Sequence, residues 1–92
     1  MKNGNYKILF SKSAIKDKRK LKSSNLEKSC KKILDIMLNN PFYYPPSYEK
    51  LVGKLNGYYS RRINREHRII YTVDEINKEI HIISMWTHYE KK

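Results

Sequence analysis

Three side chains that stand far apart in the chain form a chemically suggestive set: Glu49, Arg68 and His88, with Tyr89 beside the last. A carboxylate, a guanidinium and an imidazole supply one candidate each for a base, a fixed cation and an acid. Cleavage of an RNA phosphodiester needs those three roles and no outside nucleophile, because the 2′-hydroxyl attacks the neighbouring phosphorus. Proton transfer by a placed side chain is worth roughly 10²–10⁴-fold per group. A cation beside the phosphate stabilises the charge that builds up between the two transfers. Each residue also has a plainer reading, Glu49 as a surface carboxylate and His88 as part of a frayed C-terminus.

Other chemistries are poorly provided for. His67, His81 and His88 are widely spaced and none stands in a His-Glu-x-x-His arrangement, so no metal site is expected. Cys30 is the only cysteine, which excludes an intramolecular disulfide and a zinc-type cysteine cluster. It falls within a helical apolar pattern and reads as a small core residue. There is no Gly-x-Ser-x-Gly turn for a serine nucleophile and no Gly-rich loop to cradle phosphates. No cofactor is expected.

Charge narrows the partner. The 92 residues carry 20 Lys+Arg against 9 Asp+Glu, a net charge of +11. On one small domain that is a strong positive field, suited to a polyanion. A membrane is the weakest option, since no apolar run approaches a spanning length. Residues 1–5 lead into too short an apolar run for a signal peptide, so an intracellular, cytoplasmic setting is the expectation. The first 32 residues hold eleven Lys/Arg, which also suits a merely solvated helix face. Arg61, Arg62, Arg65 and Arg68 differ in kind: they lie in and between two strand-like runs, interleaved with Tyr58, Tyr59, His67 and Tyr71. Arginine forks match phosphate geometry, and aromatics among them offer stacking surfaces to unpaired bases.

The elements that must position these residues follow from the apolar periodicity. Residues 6–10 read as a strand. Ser11 or Ser13 caps a marginal helix over 12–23, whose only apolar residues are Ala14, Ile15 and Leu21. Asn25 reads as the cap of a clearer helix over 26–38, where Leu26, Cys30, Ile33 and Met37 share one face, widened by Leu34 and Leu38. Residues 41–57 hold all three prolines and two of the three glycines and read as a long ordered loop, a feature that is often functional. Strands are expected over 58–64, 67–74 and 79–86, joined by hairpin-length connections. The sum is one domain over residues 1–92, an α+β fold of order β-α-α-β-β-β. Two helices from the first half pack on a mostly antiparallel sheet of about four strands.

The stretch from Glu49 to Tyr71 also resembles the YoeB/Txe toxins. It contains Glu49-Lys50-Leu51, then Leu55-Asn56-Gly57, then Tyr59-Ser60-Arg61-Arg62-Ile63 and His67-Arg68-Ile69-Ile70-Tyr71, and His88-Tyr89 is similar to the His-Tyr with which these toxins end. With the preceding strand–helix–helix order, the likeness covers nearly the whole chain. It implies a RelE-like, microbial-ribonuclease fold and metal-free cleavage of messenger RNA in the ribosomal A site. It implies an antitoxin of the YefM/Axe sort, whose acidic tail covers the basic site, and often a homodimer. By position, Glu49 resembles the general base, Arg68 the arginine that stabilises the phosphate, and His88 with Tyr89 the terminal pair, His88 being the acid. Arg62 resembles a contact to substrate phosphate. Arg61 and Arg62 alternate faces of one strand, so a single one is expected to meet RNA.

The chain departs from the pattern in three places. Tyr48 stands where many members have Pro before the glutamate, and Val52 where many have Lys, leaving Lys50 or Lys54 as substitutes for a substrate-contacting lysine. The chain also runs past Tyr89 with Glu90-Lys91-Lys92. The competing readings are a ParE-like toxin that inhibits DNA gyrase and a basic binding module without catalysis. Neither needs the set Glu49, Arg68 and His88.

Overall fold

Ser11 opens the first helix. Its hydroxyl accepts from the Ala14 backbone N–H at 3.0 Å, satisfying one of the donors that a helix start leaves open. In the computed structural model, residues 5–86 are described. They run β1 (Lys7–Phe10), α1 (Lys12–Ser23), α2 (Glu27–Asn39), β2 (Glu49–Lys50), a 3-10 turn (Gly53–Leu55), β3 (Tyr59–Arg62), β4 (Arg68–Asp74) and β5 (Glu79–Ser84). The helices fall within one residue of the expected bounds.

Asn25 acts differently from its expected role. It does not cap α2, whose N-cap is Leu26 with no side-chain hydrogen bond. It sits at φ 60° just past the end of α1, where the Leu26 N–H donates to the Leu21 carbonyl at 2.9 Å. That bond, with a left-handed residue after the cap, is the Schellman arrangement. Asn tolerates the left-handed region better than other residues with a Cβ. Asn25 therefore ends α1 and turns the chain into α2.

The sheet has five strands in the order β1-β5-β4-β3-β2. β1 runs parallel to β5, and the other pairings are antiparallel. The fifth strand is β2, two residues long, inside the segment expected to be loop. Two residues are too few to show an alternating pattern, and only pairing with β3 defines them.

Alternation sorts the sheet into two faces. Ile8 and Phe10 of β1 lie opposite Ile80 and Ile82, which lie opposite Val73 and Tyr71; Tyr71 in turn lies opposite Tyr59. This row packs with Ala14 and Leu21 of α1 and with Cys30, Ile33 and Met37 of α2 to form the core. Burial of each such large apolar side chain contributes roughly 1.5–3 kcal/mol. Burial pushes the Cys30 thiol up to about 11, which keeps it protonated and unreactive as a core residue should be. The other face carries Glu49, Ser60, Arg62 and Arg68, by the register Glu49↔Ser60 and Arg62↔Arg68.

Candidate active site

Glu49 is brought to Arg68 by one turn and two strand pairings. Asn64 Oδ1 accepts from the backbone N–H groups of Glu66 and His67, at 2.9 and 2.7 Å, and so folds the connection between β3 and β4. β2 then adds to the outer side of β3, setting Glu49 opposite Ser60. The result is an ion pair of 3.2 Å between Arg68 Nη1 and Glu49 Oε1, with the same Nη1 donating to Ser60 Oγ at 3.1 Å. Nineteen positions of sequence separate the pair. The Glu49 side chain is 61% exposed and that of Arg68 16%. The carboxylate is thus open to solvent, while the guanidinium is held from below by a buried hydroxyl. An ion pair this exposed stabilises little, at most ~1 kcal/mol, so an incoming phosphate can replace the carboxylate beside Arg68 at small cost. Ser60 lies in the Ser-Arg-Arg-Ile run, but its hydroxyl was not singled out from sequence. Only the strand register brings it under Arg68.

The two adjacent arginines of β3 have different fates. Arg62 is exposed, on the same face as Arg68. Arg61, grouped with the RNA contacts from its sequence, is 1% exposed. Its guanidinium donates to three backbone carbonyls: Pro46 at 2.7 Å, Pro41 at 2.8 Å and Tyr43 at 2.9 Å. It also lies 5.1 Å over the Tyr48 ring. The planar fork, which suggested phosphate, is filled by the loop that leads into β2. Arg65 and Lys54 are both exposed, the first in the β3–β4 turn and the second in the 3-10 turn.

Two of the four interleaved aromatics are internal as well, while Tyr58 and Tyr59 are half-buried. Tyr71 is fully buried and donates its hydroxyl to the Pro41 carbonyl at 2.9 Å. Burial pushes its pKa up to about 12, against the opposing pull of Arg61. His67 is buried too, stacked on Trp86 at 4.0 Å between ring centroids, with Nδ1 3.0 Å from the Trp86 carbonyl oxygen. Neither ring is free to stack on a base. The exposed aromatics are instead Tyr43 and Tyr44, in the loop after α2.

His88 and Tyr89 lie outside the described residues. The segment just before them is anchored twice. His67 holds Trp86, and Asp17 of α1, a buried carboxylate, accepts from the Met85 backbone N–H at 3.0 Å. Asp17 stands among the lysines of a helix expected to be mostly solvated, and sequence alone did not distinguish it. Among the described residues, no group of three or more His, Cys, Asp or Glu side chains is placed to hold a metal ion, and no helix is long and apolar enough to cross a membrane.

The structure is thus a small α+β protein in which a basic, helix-backed sheet carries an exposed carboxylate paired with an arginine. Residues 10–89 match the family described as YoeB-like toxin of bacterial type II toxin–antitoxin system. The toxin YoeB of Synechocystis sp. is 37% identical over 75 residues, 82% of this chain and 78% of that protein. Among solved structures, a YoeB/ParE toxin from Agrobacterium tumefaciens superposes with a TM-score of 0.82 at 26% identity, covering 90% of this chain and 99% of that one. YoeB of Staphylococcus aureus, solved both in complex with YefM and as a dimer, gives 0.76 in each case at 37% identity. Coverage is 94% of this chain and 100% of that one for the complex, and 91% and 98% for the dimer. The chain belongs to the YoeB-like toxins of bacterial type II toxin–antitoxin systems. Toxins of the YoeB and RelE kind are ribonucleases.

Proposed function

We propose that this toxin cleaves messenger RNA in the ribosomal A site, without a metal, by directing the substrate's own 2′-hydroxyl at the scissile phosphate. The observation that carries the reading is the 3.2 Å pairing of Glu49 with Arg68 on a face shared with exposed Arg62. Glu49 takes the proton from the 2′-oxygen as that oxygen bonds to phosphorus. Arg68, braced by Ser60, balances the charge on the equatorial phosphate oxygens. His88, with Tyr89 beside it, returns a proton to the 5′-oxygen as the P–O bond breaks. Arg62 holds a neighbouring phosphate, and the exposed Lys54 and Arg65 add to the basic rim. A gyrase inhibitor or a passive binding module would not need the Glu49–Arg68 pair.

The partners follow from charge. An antitoxin of the YefM type, with an acidic segment, would cover Arg62, Arg65 and Arg68, and the ribosome would supply the polyanion in its absence. Both place the toxin in the cytoplasm. A second copy of the chain is a further partner, as in the Staphylococcus aureus dimer.

Glu49→Gln keeps the shape and removes the base, and Arg68→Ala removes the cation. Each should lower message cleavage by roughly 10²-fold or more and abolish growth arrest, while the fold persists and antitoxin binding is largely retained, since Arg62 and Arg65 still meet the acidic segment. Primer-extension mapping of cleaved messages, alongside circular dichroism of the purified variants, checks this. Full cleavage by Glu49→Gln would sink the assignment.

A further inference from the structure

The loop after α2 and the edge of the sheet enclose a second feature. Phe42, Tyr48 and Tyr59 meet with ring centroids 4.9, 5.5 and 6.2 Å apart. With Tyr44 and Lys50 they line an open cleft of about 570 Å³. Tyr44 is 71% exposed, so core packing does not account for it. Lys50 is the residue after Glu49 on β2, and alternation points it to the opposite face of the strand. β2 is the outermost strand and only two residues long, so both of its faces are reached around one edge.

We infer that this cleft is a nucleobase-binding subsite: it takes an unpaired base of the substrate RNA strand, from a nucleotide next to the scissile phosphate, with Lys50 on that nucleotide's phosphate. The inference rests on the ribonuclease reading above. Phe42, Tyr48 and Tyr59 pack tilted or edge-on into an aromatic wall, Tyr44 offers an exposed ring at its mouth, and stacking on such a ring accepts any base. Three of the four are tyrosines, whose hydroxyls can bond to base edges. No carboxylate lines the cleft, and its one charge is positive, which suits a nucleotide. An apolar peptide would leave the hydroxyls and the ammonium without partners. Glu49 and Lys50 are successive residues of β2 that pair with Ser60 and Tyr59, so the cleft and the Glu49 carboxylate lie on the two sides of one edge strand. A strand crossing the edge of β2 places one nucleotide in the cleft and the adjoining phosphate against Arg68. Only an unpaired strand can splay its bases in this way.

Two measurements decide the matter. The first is binding of the intact chain to a 2′-O-methyl, uncleavable RNA oligonucleotide carrying 2-aminopurine. Wild type should quench the fluorophore by stacking, and Tyr44→Ala should remove the quench. Because Tyr44 is largely exposed, the variant should keep the wild-type fold by circular dichroism. The second is single-turnover cleavage on programmed ribosomes, with one abasic ribonucleotide placed in turn at each position flanking the cut. One position should slow wild type by about 5-fold or more, and Tyr44→Ala should cleave intact message more slowly by a similar factor and ignore the abasic substitution there. Lys50→Gln should raise the half-saturating concentration without changing the rate at saturation.

An unchanged quench in Tyr44→Ala, or abasic and Tyr44→Ala effects that simply multiply, would overturn the subsite. The latter pattern would point to a base of ribosomal RNA instead. Failure of wild type to cleave any intact message would overturn the ribonuclease reading, and the fluorescence arm would still judge the cleft.

Discussion

At the scale of single residues, adjacent arginines take opposite parts. Arg62 and Arg61 are neighbours of the same type, yet one stands exposed beside Arg68 and the other spends its guanidinium on three carbonyl oxygens of the loop that delivers Glu49. Charge-assisted hydrogen bonds of this kind contribute ~1.5–3 kcal/mol each, and carbonyls left without a donor add to the loss. Arg61→Ala should therefore destabilise the fold by about 3 kcal/mol or more in urea unfolding. Arg61→Lys should recover only part of that, because an ammonium cannot reach three carbonyls from one planar fork. Arg62→Ala should leave stability within ~0.5 kcal/mol of wild type, as exposed substitutions usually do. Its effect should fall on ribosome binding, with the salt slope reduced by about one phosphate contact. Unchanged stability in Arg61→Ala, with weakened ribosome binding, would reverse the two assignments.

At the scale of elements, the turn between the helices and the shortest strand set the geometry. Asn25 holds φ 60° at the end of α1, a conformation that costs most residues with a Cβ about 1–2 kcal/mol. Thermal unfolding of Asn25→Ala should show a loss of roughly 1 kcal/mol, and Asn25→Gly should match or slightly exceed wild type. A destabilised glycine variant would mean that the Asn25 side chain matters as a cap after all. Both helices and four of the strands were legible in the sequence, because Cys30, Ile33 and Met37, and Ile80 and Ile82, repeat with the periods of a helix and a strand. Arg61 was not, since a buried guanidinium and an exposed one have the same letter. Nor was β2, because pairing with β3 rather than any local pattern makes Glu49 and Lys50 a strand. Glu49 and Arg68 were grouped from their chemistry alone, and the strand pairing that joins them has no local signal in the sequence. Ser60, Asp17 and the aromatic cleft depend on contacts between distant segments, and no local pattern announces them.

At the scale of the whole molecule, the net charge of +11 governs encounter more than fold. Attraction between exposed charges is screened beyond ~8–10 Å at physiological salt. Association with an acidic antitoxin should slow by roughly tenfold or more when ionic strength rises tenfold, with dissociation little changed. Stopped-flow mixing at graded salt checks this, and a salt-independent association rate would remove electrostatic steering from the account. In the proposed function the same charge would draw the toxin to the ribosome, where the Glu49–Arg68 pair would meet its substrate. In the proposed mechanism the nucleophile belongs to the RNA, and a single atom tests it. Messages on programmed ribosomes are prepared with ribose or 2′-deoxyribose at the cut position, and the ends of any products are analysed. The ribose message should yield a 2′,3′-cyclic or 3′-phosphate and a 5′-hydroxyl, and the deoxy message should remain whole. Cleavage of the deoxy message at the same position would contradict the mechanism.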